Sequence, residues 1–184
     1  MKRWSNTARS AVPDAPDMAL NRGVVSDAVL SAYEKASAKL TSMGIPHLVV
    51  GGLAVGAWGH PRATKDIDFL VREKDVFDGK LFLSFKKNVP IQVEGVAVDY
   101  LVVESLPTKT RFKIANEKVV PIEILFAMKL KARRAQDDAD IIALVHKGAD
   151  IHEIYSWLQA EGFADEIARL AKLVERAQEE SERE

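Results

Sequence analysis

The chain contains no cysteine. This absence excludes disulfides, thiolate metal sites and cysteine nucleophiles, and it is compatible with a reducing cytoplasm, where we expect the protein. No apolar run approaches the roughly 20 residues that a membrane-spanning helix needs, so we expect no membrane partner. An excess of one charge is also missing, because the formal net charge is −1. A strongly basic nucleic-acid-binding protein is therefore disfavoured, although a local basic cleft is still allowed.

The remaining composition is that of an ordinary globular domain. The 184 residues are 47% hydrophobic and 29% charged, enough for one domain with a sizeable core and too few for two. Pro13 and Pro16 interrupt any helix near the N-terminus, so we expect residues 1–23 to form a flexible tail. Residues 24–184 are then a single domain.

Periodicity predicts an α+β fold, with a sheet region at 45–120 and a helical region at 121–184. Ser26 is a plausible N-cap for a first helix over 27–43, which Gly44 and Pro46 end. A short helix is expected to open at Gly51 and Gly52. Strand-like stretches occur at 47–50, 67–73, 80–85, 90–95 and 96–104. Helical patterns occur at 121–136, 137–148, 150–162 and 164–184.

The segment VVGGLAVGAWGHPRATKDIDFLV, residues 49–71, concentrates the signals of a phosphate site. Gly51 and Gly52 follow a predicted strand and open a predicted helix, where a phosphate could approach backbone N–H groups with no Cβ in the way. A plain strand-to-helix turn is the alternative. The segment is neither a P-loop, since no Lys-Ser/Thr follows the glycines, nor a dinucleotide fingerprint, since G-x-G-x-x-G is absent.

Three aspartates in predicted strands are candidate metal ligands. Asp66 and Asp68 stand at i and i+2, so both carboxylates project from one face of the strand. Carboxylates at this spacing suit Mg²⁺ or Mn²⁺, and substrate phosphates can complete the coordination shell. The alternative, an exposed pair of acids at a strand edge, is the more frequent meaning of Asp-x-Asp taken alone.

Asp99 supplies a third carboxylate, as the only charge inside the apolar run VAVDYLVV. An acid in such a strand is costly unless it has a partner or a metal. The alternative is an acid at an exposed strand position. A glycine turn followed by a metal-binding pair on the next strand indicates nucleoside triphosphate chemistry.

Two motifs carry a family resemblance. GGLAVGAWGHPRATKDID resembles the signature of the minimal nucleotidyltransferases of the DNA polymerase β superfamily, in which Gly-Gly is followed by Ala54, Gly59, Arg62, Thr64 and then Asp-x-Asp. The later segment IEILFAMKLKARRAQDDADIIAL is similar to part of the abortive-infection type of nucleotidyltransferase toxins, where Lys-Leu on a helix precedes an Arg and an acidic KDxxDI element. The resemblance covers about residues 45–147. This sequence departs from the pattern at Gln136, where the relatives usually carry Lys.

This resemblance implies a nucleotidyltransferase fold, a small mixed β-sheet flanked by helices with a C-terminal helical segment. It implies transfer of a nucleoside monophosphate from an NTP to an acceptor hydroxyl on RNA such as tRNA, a protein or a small molecule. An antitoxin protein is among the implied partners. Mg²⁺ or Mn²⁺ would be bound by Asp66, Asp68 and Asp99. The catalytic set would add Lys129 as a phosphate contact, and the substrate-binding residues would be Gly51, Gly52, Arg62, Thr64 and Asp137.

Helical spacing bears on Lys129 independently. If one helix runs through this region, Lys129, Arg133, Asp137 and Asp140 share one narrow face, and the apolar stripe beginning at Ile122 turns that face inward. An inward lysine near acids is either a salt-bridge member or a phosphate contact. Spacing does not separate the two, whereas the resemblance favours phosphate. Arg134 and Lys131 are expected to be solvated.

A second class of function stays open from the sequence. The chain could be a non-catalytic nucleotide-binding or partner-binding protein on a degenerate transferase fold. The presence of all three carboxylates counts against this alternative, and metal-dependent NTP binding without turnover would favour it. The sequence selects neither the acceptor nor the base of the NTP.

Overall fold

A computed structural model describes residues 13, 15–72, 91–103 and 118–183. Its sheet contains β1 (His47–Val50), β2 (Asp66–Arg72), β3 (Ile91–Val93) and β4 (Val96–Val103). The strand order is β1-β2-β4-β3, with β2 and β4 parallel and the two outer pairs antiparallel. The predicted α+β class with a small mixed sheet is confirmed. The strand expected at 80–85 lies outside the described residues.

The helices follow the predicted order along the chain. Ser26 caps the first of them, since its Oγ accepts a hydrogen bond from the Val29 N–H. Within these described segments, no helix is both long enough and apolar enough to cross a membrane. Besides a short 3₁₀ helix at Met18–Asn21, the helices are α1 (Asp27–Ser42), α2 (Gly51–Ala57), α3 (Ile122–Ala132), α4 (Ala135–His146), α5 (Ile151–Ala160) and α6 (Ala164–Arg183).

The helical region is joined to the sheet beside β1, whose four residues are all buried. The Val49 N–H donates to the Lys118 carbonyl, and the Val120 N–H donates to the Val49 carbonyl. Trp58, fully buried just after α2, donates its indole N–H to the Val120 carbonyl at 2.9 Å. These bonds fix the start of α3 relative to the glycine turn between β1 and α2.

Residues 129–140 do not form the one continuous helix that the spacing argument assumed. Helix α3 ends at Ala132, and Arg133 adopts a left-handed conformation with φ of 59°. The Arg133 N–H bonds to the Lys129 carbonyl, as in a left-handed helix C-cap. Arg133 is exposed and does not share the inward face. Lys129 still meets Asp137, because α4 begins two residues after the break and packs against α3.

The part of the predicted tail nearest the domain packs against it. Asn21 is completely buried, and its side-chain amide donates to the Leu53 carbonyl at 3.0 Å. The Asp17 N–H donates to the Ala57 carbonyl at 2.9 Å. The end of the predicted tail therefore packs along α2, because these polar groups satisfy helix carbonyls. Residues 1–12 and 14 lie outside the described residues.

Gly56 provides a test of this packing. A Cβ on Gly56 would lie 1.8 Å from Asn21 Oδ1, so Gly56→Ala should lower the free energy of unfolding by about 1–3 kcal/mol. In an Asn21→Ala background the clash is gone, and the same change should be neutral or stabilising because alanine favours the helix. Urea unfolding of the four proteins of this cycle measures the coupling. Strictly additive effects would contradict the proposed contact.

Candidate active site

The glycine turn lies directly against the carboxylate strand. Gly51 begins α2 with φ of +64°, and a Cβ built on it would lie 2.0 Å from Asp68 Oδ2. A Cβ on Gly52 would lie 2.8 Å from Thr64 Oγ1. Both distances are shorter than any real side chain tolerates, and L-residues rarely adopt the Gly51 conformation. Glycine is therefore required here so that the backbone can approach the site.

The sheet register brings the three predicted carboxylates together. Asp68 pairs with Val50 at the end of β1 on one side and with Asp99 of β4 on the other. Residues opposite each other in parallel strands project from the same face, and Asp66 joins them two positions earlier. Asp66 and Asp99 are exposed, whereas Asp68 is partly buried between them and the glycine turn.

Burial and like charges together determine the electrostatics of this face. Burial, followed by the charges of Asp66 and Asp99, raises the pKa of Asp68 to about 6, and nearby Arg134 and Lys129 only partly oppose the shift. The side chains do not converge as they stand: in the described residues no three His, Cys, Asp or Glu side chains form a ready group for a metal ion. The donor set still fits Mg²⁺ or Mn²⁺, because it consists of carboxylate oxygens whose repulsion a cation would relieve.

Thr64 holds one member of this set. Its hydroxyl donates to Asp66 Oδ1 at 2.9 Å, and its Oγ1 lies 2.8 Å from the position of a Gly52 Cβ. A predicted substrate-binding residue therefore lies beside the glycine turn and is hydrogen-bonded to a carboxylate. Its visible role is to fix the orientation of the Asp66 side chain.

Lys129 is buried between two carboxylates. Its ammonium lies 2.7 Å from Asp140 Oδ2 and 3.2 Å from Asp137 Oδ1. Of the two roles that spacing left open, the structure shows the salt bridge. We call Lys129, Asp137, Asp140 and the two arginines bound to these aspartates, Arg62 and Arg134, the Lys129 network.

Asp140 anchors Arg62 in this network. Arg62 Nε and Nη2 donate to the two Asp140 oxygens at 2.6 and 2.8 Å, the bidentate geometry of the strongest arginine–carboxylate pairs. Gln136, where the sequence departs from the motif it resembles, donates to Asp140 Oδ1 at 3.0 Å. Burial alone would raise the pKa of Asp140, but hydrogen bonds from Arg62 and Lys129 outweigh it and hold the pKa below its usual value.

Asp137 anchors the second arginine. Arg134 Nε and Nη2 donate to Asp137 Oδ2 and Oδ1 at 2.7 and 3.2 Å. Asp137 is 1% exposed and both its oxygens are engaged, so it faces the network rather than an open substrate cleft. Sequence reasoning missed the roles of Asp140 and Arg134. The i, i+3 spacings of Arg134, Asp137 and Asp140 are the signal that would have found them.

The arrangement combines an acidic face suited to a divalent cation with a glycine backbone and anchored arginines suited to phosphate. Arg62 joins the two, since its Nη1 lies 3.5 Å from the position of a Gly52 Cβ. No protein-family model and no curated protein matches the chain.

The electrostatics of Asp68 predict a pH-dependent stability difference. Its folded pKa of about 6 lies above the ordinary 3.8, so ionised Asp68 destabilises the fold, a cost absent below pH 4 and complete above pH 6. Without divalent cations, the free energy of unfolding of Asp68→Asn should be higher than that of the wild type by up to about 3 kcal/mol at pH 7.5. This difference should grow between pH 4 and pH 6. Denaturant unfolding across this range measures it, with exposed Asp165→Asn as control. A constant difference would contradict the assignment.

Lys129 and Lys131 offer a matched pair on one helix. Lys129→Met leaves two buried aspartates without their shared cation, and should cost about 3 kcal/mol of unfolding free energy. Exposed Lys131→Met should change it by less than about 0.5 kcal/mol. Thermal and urea unfolding compare the two. Similar costs for both lysines would show that the Lys129 salt bridges contribute nothing particular to the fold.

Proposed function

We propose that the protein is a metal-dependent nucleotidyltransferase with the nucleotidyltransferase fold. It would transfer a nucleoside monophosphate from an NTP to an acceptor hydroxyl. The observation that carries this proposal is the position of Asp68, in register between the end of β1, where the glycine turn begins, and Asp99 of β4. A triphosphate lying on the glycine backbone would then lie beside the carboxylates, where one cation could bind to both.

The acidic face would hold the cation. Asp66, Asp68 and Asp99 would bind Mg²⁺ or Mn²⁺, with Thr64 keeping Asp66 oriented. When bound, the metal would supply charge stabilisation to the attacking and leaving oxygens of the transfer. The raised pKa of Asp68 supports this role, because a bound cation would offset both of its causes, burial first and then the charges of Asp66 and Asp99.

The chain's own groups would then manage the substrates. Gly51 and Gly52 leave room for the triphosphate, and Arg62 is held beside Gly52 by Asp140. Asp99 is exposed, so its carboxylate can accept the proton of the acceptor hydroxyl. The acceptor oxygen forms a bond to the α-phosphorus while the bond to the β-phosphate oxygen breaks, and pyrophosphate leaves. Lys129 is a positioning residue in this scheme, since its ammonium holds the two anchoring aspartates.

The acceptor is proposed by class only. RNA such as tRNA, a protein hydroxyl and a small molecule all present the required nucleophile. The net charge of −1 provides no global field for a long polyanion, so an RNA would have to be held through a few phosphates near one end. The abortive-infection resemblance adds an antitoxin protein to the candidate partners.

Label transfer from each α-³²P-labelled NTP tests the function, using Mg²⁺ or Mn²⁺ and total RNA or cell lysate as acceptors. The wild type should label an acceptor, and Asp66→Asn or Asp68→Asn should reduce the rate at least about 100-fold because each withdraws a charge from the metal site. Asp99→Asn should lower the turnover rate by about 100-fold or more and should affect NTP binding less. Asp165→Asn, an exposed acid in the first turn of α6, is the control.

Two results would overturn the assignment. If Asp66→Asn or Asp68→Asn transfers label at the wild-type rate, the assignment of these aspartates as metal ligands is overturned. Metal-dependent binding of NTP by the wild type without transfer to any acceptor would favour the non-catalytic alternative.

A further inference from the structure

Arg134 combines a fixed position with an exposed side chain. Its side chain is 75% exposed, whereas the Asp137 side chain that holds it is 2% exposed. The two N–H···O bonds to Asp137 restrain one edge of the guanidinium. An exposed arginine usually loses much rotamer freedom when it binds a ligand, and this restraint removes part of that cost in advance.

The other edge of the guanidinium carries further N–H donors. A guanidinium carries five N–H donors, and the bonds to Asp137 use one on Nε and one on Nη2. The remaining three have no acceptor in the described part of the chain. A planar pair of N–H donors on a permanent cation is well matched to two oxygens of one phosphate.

The other cations of the Lys129 network are less suited to this task. The Lys129 side chain is 5% exposed and lies against two carboxylates. The Arg62 side chain is 24% exposed, and its Nη1 also donates to the Ala63 carbonyl. Arg134 is therefore the member of the network that can most readily meet a ligand from solvent.

Arg134 is connected to the acidic site through the network, because Asp137, Lys129 and Asp140 link it to Arg62 beside the glycine turn. Hydrogen bonding to Asp137 is the largest cause that raises the pKa of Arg134, and the charges of Asp68 and Asp66 add to it. The charge of Arg134 in turn lowers the pKa of Asp68. A triphosphate held beside Asp68 would thus lie within the field of this guanidinium.

We propose that Arg134, held by Asp137, binds a phosphate group of the nucleoside triphosphate at the mouth of the carboxylate site. The proposal rests on the proposed function for the identity of the ligand, and it gives to Arg134 the phosphate contact that the sequence motif suggests for Lys129. Within the network, buried Lys129 then neutralises the aspartates, and exposed Arg134 contacts the substrate.

Titration calorimetry of the full chain with inorganic triphosphate and Mg²⁺ tests this contact apart from catalysis. Arg134→Gln should weaken binding at least about tenfold, because charge-assisted hydrogen bonds to phosphate are lost. Arg134→Lys, which keeps the charge and loses the planar donor pair, should fall between Gln and wild type. Lys131→Gln, an exposed cation of α3, should change the affinity less than about twofold. Thermal unfolding of each variant verifies the fold.

The outcomes separate this proposal from the function. Equal triphosphate affinity in wild type and Arg134→Gln overturns it, as does a wild type that binds no triphosphate. A variant that loses affinity for a short single-stranded RNA but not for triphosphate also overturns it. If label transfer depends on Asp66 while Arg134→Gln binds normally, the function stands without this contact. If triphosphate binding depends on Arg134 but the protein transfers no label, the phosphate site is supported and the transferase function is overturned.

Discussion

The ammonium of Lys129 is the interaction on which the arrangement of the candidate site depends. Burying two carboxylates is strongly unfavourable unless each is paired and hydrogen-bonded. Lys129 contributes a bond to both Asp137 and Asp140, and each aspartate then binds one arginine. A single buried cation on α3 therefore fixes two aspartates of α4 and, through Asp140, the segment that carries Arg62.

The acidic face is built on the opposite principle. The network pairs both of its buried aspartates with cations, whereas β2 and β4 place Asp66, Asp68 and Asp99 on one face with few cations to oppose them. Such a face costs stability in the free protein. If the face binds a cation, this cost has a function, because relief of the repulsion between the carboxylates contributes to the affinity for the metal. The two halves meet at Gly51 and Gly52, where any Cβ would collide with Asp68 or Thr64.

Local signals accounted for the parts of the fold that depend on neighbours in sequence. Ser26 predicted the start of α1 because an N-cap acts within three residues. The Asp-x-Asp spacing predicted a common face because side-chain direction alternates along any strand. The end of the tail was not predictable in this way, because the burial of Asn21 depends on a carbonyl of α2, 32 residues further along the chain.

The sequence by itself determined the α+β class, the glycine turn at Gly51 and the shared face of Asp66 and Asp68, since each follows from backbone geometry over a few residues. Only the tertiary structure decided that Asp99 lies in register with Asp68, because pairing between strands is a long-range choice. Only the tertiary structure, likewise, made Lys129 a salt-bridge residue. The left-handed turn at Arg133 and the packing of α4 on α3 determine which charges surround its ammonium, and helical spacing along one element contains no information about either.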